Sequence, residues 1–120
     1  MNKVLKSPVK CHLWKKKKLK AEDFYSAFEV IATYVEDSHF FLRLLQCKKC
    51  GQLYFYQFYE ETDWEGGNDP QYKTFIPVET QAEIETLKNA DMRGLAEFHP
   101  RLQSDFPKEA DSPNVYWVRE

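Results

Sequence analysis

Two apolar runs joined by a short turn constrain this chain more than anything else in it. His39 to Gln46 alternates: Phe40, Leu42 and Leu44 fall on one face of an extended chain, and His39, Phe41, Arg43 and Leu45 on the other. Leu53 to Tyr59 follows as a second strand, bulky on both faces. Between them stands Cys47-Lys48-Lys49-Cys50-Gly51. Strand, glycine-containing turn and strand read as an antiparallel hairpin, and this one carries two thiols at its tip.

Two cysteines separated by two residues can turn both thiolates toward one metal ion. Gly51 lets the chain reverse while backbone N–H groups face the sulfurs. A structural zinc site takes four ligands in a tetrahedron, and the sequence holds no second Cys-x-x-Cys. The remaining ligands must then come from Cys11, His12, His39 or His99. Cys11 is the first choice for the third, and His12 and His39 compete for the fourth. Cys11 and His12 are neighbours, so in a strand they diverge, and both bind only if the chain bends there. The competing reading is a pair of reduced cysteines in a turn, with Cys11 buried as a small hydrophobe. A redox role would want the pair at a helix N-terminus, which the strand-like Leu53 to Tyr59 does not offer.

Around the hairpin the sequence predicts one α+β domain over residues 1–120: an antiparallel sheet with helices packed on it. Residues 1–20 read as a basic N-terminal arm. Ala21 to Glu36 reads as a helix, because Phe24, Phe28, Ile31 and Val35 recur at helical spacing. Glu60 to Gln71 reads as a loop and Tyr72 to Val78 as a strand. Thr80-Gln81-Ala82-Glu83 has the pattern of a capping box and opens a helix with Ile84 and Leu87 on its buried side. A second short helix carries Leu95 and Phe98 and stops at Pro100. Asn114 to Arg119 reads as a last strand.

Charge is unevenly spread. Residues 1–20 hold eight lysines and no acid, whereas residues 21–120 hold nine basic against nineteen acidic residues, a net of −10. The body repels nucleic acid and attracts a basic protein partner; Lys15 to Lys20 would do the reverse. Five acids lie between Glu60 and Gln71 with Trp64 among them. Their spacing does not fit an EF-hand, so Glu61, Asp63, Trp64, Glu65 and Asp69 read either as a solvated turn or as a partner-binding lip. Catalytic signatures are absent: there is no Gly-x-Ser-x-Gly, no His-Glu-x-x-His, and too few glycines for a phosphate-cradling loop. Met1 to Lys20 has no apolar leader core, no run is long enough to span a membrane, and three cysteines suggest no disulfide framework. These features predict a non-enzymatic cytoplasmic protein.

The stretch Leu45-Gln46-Cys47-Lys48-Lys49-Cys50-Gly51-Gln52-Leu53-Tyr54 resembles a zinc-ribbon knuckle, which implies a structural zinc ion. In overall character the chain is similar to bacterial immunity proteins of toxin–immunity systems, on its size, acidity, Trp64, Tyr116 and Trp117. That likeness implies non-catalytic neutralisation of a toxin through an acidic, aromatic surface. The alternative is a zinc-knuckle protein that binds nucleic acid through Lys15 to Lys20.

Overall fold

The computed structural model describes residues 4–16, 18–24, 26–61, 70–107 and 110–119. Six strands, β1 (Phe28–Asp37), β2 (Phe40–Cys47), β3 (Leu53–Glu60), β4 (Gln71–Val78), β5 (Arg101–Phe106) and β6 (Asn114–Val118), form one antiparallel sheet in sequence order. Three short helices accompany them: α1 (His12–Lys15), α2 (Gln81–Lys88) and α3 (Met92–Leu95). The described helical content is small, so the domain is mostly sheet.

The sheet is covered on both faces, and the period-two alternation of its central strands decides which residue goes where. Leu42 and Leu44 of β2, Phe55 of β3 and Ile76 and Val78 of β4 point to one face, where they pack with Ile84, Leu87, Leu95 and Phe98. That cover is the β4–β5 connection, begun by a complete capping box: the Glu83 N–H donates to the Thr80 hydroxyl, and the Thr80 N–H to the Glu83 carboxylate. Leu45 and Cys47, Tyr54, Phe75 and Leu102 point to the other face and meet Cys11, Leu13 and Phe24. The N-terminal segment is therefore no loose arm where it is described; it is the second cover of the sheet. Fully burying Leu13 stabilises this packing by ~1.5–3 kcal/mol.

The helix expected over Ala21 to Glu36 does not form. Ala21–Asp23 is a single 3-10 turn, and Phe28–Asp37 is the edge strand β1. Of the four residues that suggested a helical face, Phe24 is buried, but Ile31 and Val35 are 47% and 38% exposed. Val30, Ile31, Thr33, Tyr34 and Val35 are β-branched or aromatic, and these favour a pleated surface over a helix. Two register shifts, between Val30 and Ala32 and between Thr33 and Val35, fit ten residues of β1 against eight of β2. Each is a bulge that breaks strict alternation, which is how a strand came to carry helix-like spacing. The strand β5, which the sequence reading did not anticipate, lies between β4 and β6.

Candidate metal centre

Cys47 ends β2, and the turn after it is closed by the backbone. The Cys47 N–H donates to the Gln52 carbonyl and the Gly51 N–H to the Cys47 carbonyl, each at 2.8 Å. Gly51 takes φ +80°, a left-handed conformation that costs a side-chain-bearing residue and not glycine. Through that reversal the Cys47 and Cys50 sulfurs come to one side. The Lys48 N–H also donates to the Ala27 carbonyl at 2.8 Å, which ties the turn to the chain entering β1.

Cys11 arrives from the other end of the sequence. It caps α1, with the Trp14 N–H donating to its carbonyl at 3.1 Å. The bend required for Cys11 and His12 to serve together is thus supplied by a helix start in place of a strand. Cys11 and Cys47 are buried, while Cys50 sits at the surface with its sulfur turned toward the other two. All three thiols are free, and their sulfurs lie 3.5–4.1 Å apart. Two sulfurs on one tetrahedral zinc, each at about 2.3 Å, stand about 3.8 Å apart, so the cluster is close enough to hold one metal ion. A cleft of about 320 Å³, lined by Lys10, Cys11, Cys50 and Glu79 among others, leads from solvent to it.

The electrostatics of the three thiols differ. Burial works against a Cys47 thiolate, but the N–H groups of Cys50 and Lys49 aim at its sulfur, and with the neighbouring thiols they hold its pKa below the ordinary value. Cys50 is pushed up to about 12, by desolvation of its sulfur and then by the Cys11 and Cys47 sulfurs beside it. One thiolate is favoured and a second beside it is not, which is the situation a dication reverses by compensating all the negative charge at once.

Among the expected histidines, the structure brings only His12 near. Its Nδ1 lies 3.8 Å from the Cys47 sulfur, against about 3.6 Å for nitrogen and sulfur on one tetrahedral ion. Burial first, then Lys49 and Lys16, lower its pKa, in the direction of the neutral imidazole that ligates metals. His12 stands beside the cluster and not inside it: the group whose ligand atoms all approach one another within 4.8 Å is Cys11, Cys47 and Cys50. His39 is not brought to the site. It lies just beyond the opposite end of β2, about 26 Å from Cys47 along the strand, where its Nδ1 meets the Glu60 carboxylate at 2.9 Å. The Leu5 N–H donates to the His99 carbonyl, which places His99 at the N-terminal bridge. In the proposed partner lip, Glu61 is exposed and its N–H donates to Pro70. Asp63, Trp64, Glu65 and Asp69 lie outside the described residues.

Sequence reasoning missed Tyr54. Its side chain is fully buried, and its hydroxyl makes no hydrogen bond. Burial and then the adjacent Cys11 sulfur push its pKa far up. The signal was available: Tyr54 pairs with Leu45 and so shares the Cys47 face of the hairpin.

No helix among the described residues is long and apolar enough to cross a membrane. Comparison with protein-family models, curated proteins and solved structures finds no match. Fold and site together define an antiparallel single-sheet domain with a three-cysteine cluster at a hairpin tip.

Proposed function

We propose that this chain is a non-catalytic binding protein in which a zinc ion fastens the N-terminal segment to the sheet. Cys11, Cys47 and Cys50 are three of the ligands, and a small rotation of His12 supplies the fourth. The observation that carries the reading is the approach of three sulfurs, one from before a long sequence gap and two from the turn after it, to tetrahedral spacing. Four protein ligands, two of them buried thiols, suit a structural ion, since a catalytic one keeps one position open for water or substrate.

The binding role rests on the acidic body and on β1. This edge strand exposes Val30, Ile31 and Val35 beside Glu29, Glu36 and Asp37, a combination suited to a basic partner with some apolar surface, such as a toxin domain to be neutralised. The test is differential capture from native cells by zinc-loaded wild type and by Ile31→Lys. A basic protein held by the first and lost by the second supports the reading. Equal capture by both removes β1 from the interface. A second reading, nucleic-acid binding through the segment from Lys15 to Lys20, is favoured by the cleft that Lys15, Lys16, Lys18 and Lys20 line.

A further inference from the structure

A cleft of about 650 Å³ opens between the lysine-rich segment after α1 and the outer edge of β6. Lys15, Lys18, Lys20 and Arg119 line it, and among the described residues none of the four is ion-paired and no acid lines the cleft. The neighbouring carboxylate, Asp23, is already engaged by the Lys16 ammonium at 2.6 Å and the Lys20 N–H at 2.7 Å. Four like charges gathered in a concavity are costly together unless an anion joins them.

The floor is rigid. The Arg119 guanidinium lies 3.8 Å over the Trp14 ring and donates to the Trp14 carbonyl. Trp14 meets Trp117 edge-on, with ring centroids 4.9 Å apart, and the Trp117 indole N–H donates to the Leu13 carbonyl. Arg119 is thereby held in one place with its other N–H groups still available, so little freedom is lost when it grips an oxyanion. As the last strand, β6 also has an outer edge that no other described strand covers.

We propose that this cleft binds a small polyphosphorylated molecule. The volume is that of a small-ligand site, typically ~300–1,000 Å³. A long nucleic acid would run off the cleft onto a body of net charge −10, which repels it. Recognition is by charge: Arg119 takes one phosphate as a fork, and Lys15, Lys18 and Lys20 neutralise the rest. A second part rests on the metal reading. Within the four-residue α1 and its cap, Cys11 and His12 lie toward the metal centre, while Lys15 lines the cleft and Trp14 backs it through its contacts with Arg119 and Trp117, so the ion that fixes one end of α1 also fixes the other.

The test is calorimetric titration of the zinc-loaded protein with inorganic triphosphate, with a 20-nucleotide single strand as comparison. Binding is expected on the order of micromolar, weakened at least tenfold by Lys15→Glu/Lys18→Glu and by Arg119→Gln, with the oligonucleotide no tighter than triphosphate. Absence of binding at millimolar ligand, binding by either variant as tight as by wild type, or much tighter binding of the oligonucleotide would each overturn the proposal. Removal of zinc by the ligand would affect wild type and variants alike and also counts against it. Neither variant touches a thiol, so their zinc content reports on the metal centre separately. Titration of Cys47→Ser reads the coupling: weaker binding supports it, and unchanged binding refutes it.

Discussion

Cys11→Ser is the sharpest single perturbation of the metal centre, because Cys11 is the one sulfur that does not belong to the hairpin. Cys47 and Cys50 are joined by a turn that the backbone already closes, so their spacing survives in any folded sheet. Cys11 joins them only while the N-terminal segment lies on the sheet. With free zinc a thousandfold above its dissociation constant, bound metal stabilises the native state by ~4 kcal/mol. In a domain of this size ~1 kcal/mol moves the melting temperature by about 4 °C. Replacing the thiol removes that linkage and leaves a hydroxyl at a position that is 0% exposed, which costs a further ~1–3 kcal/mol if it finds no partner. A fall in melting temperature of about 16–28 °C is expected. Amide exchange locates the loss: the Trp14 N–H, bonded to the Cys11 carbonyl, should lose protection while the β3–β4 amides retain theirs. A variant that melts with wild type and protects Trp14 equally would refute the idea that metal holds this segment.

Tyr54→Phe separates two accounts of a buried hydroxyl without a partner. If a metal-bound Cys11 thiolate accepts from it, zinc affinity should fall ~10–100-fold and the thiolate charge-transfer band of the cobalt-substituted protein should shift. If the group is a true orphan, the variant should instead gain ~1–2 kcal/mol in denaturant titration. Thr80→Ala breaks the capping box of α2 and should cost ~1 kcal/mol by the same assay, with no change in metal content. Ile31→Lys, at a 47% exposed edge position, should change stability by no more than ~0.5 kcal/mol, whatever it does to partner binding; a larger loss would mean that β1 is covered.

What could be read from sequence was what is local. The Cys47–Cys50 turn, the strands on either side of it and the Thr80 capping box each depend on residues within a few positions of one another, and each is present in the structure. Cys11 stood out as the one thiol outside the turn, with His12, His39 and His99 as its competitors. Its delivery through a helix start, and the separation of His12 from His39, depend on how a segment thirty residues away lies across the sheet. Two strands were hidden for opposite reasons. Bulges gave β1 the spacing of a helix, while β5 places Ser104 inside and Gln103 outside, so its alternation carries almost no hydropathy contrast. That the lysine run lines a cleft was not readable, because nothing local reveals that Arg119 and Trp117 lie opposite it.

Everything proposed for the metal centre depends on Cys11, Cys47 and Cys50 holding one metal ion. Native mass spectrometry of untagged protein, expressed with zinc supplied, tests it most directly. The account expects about one zinc per chain, lost in Cys11→Ser and in Cys47→Ser. Less than about a tenth of an equivalent, with all three thiols free to react in the folded protein, would contradict it.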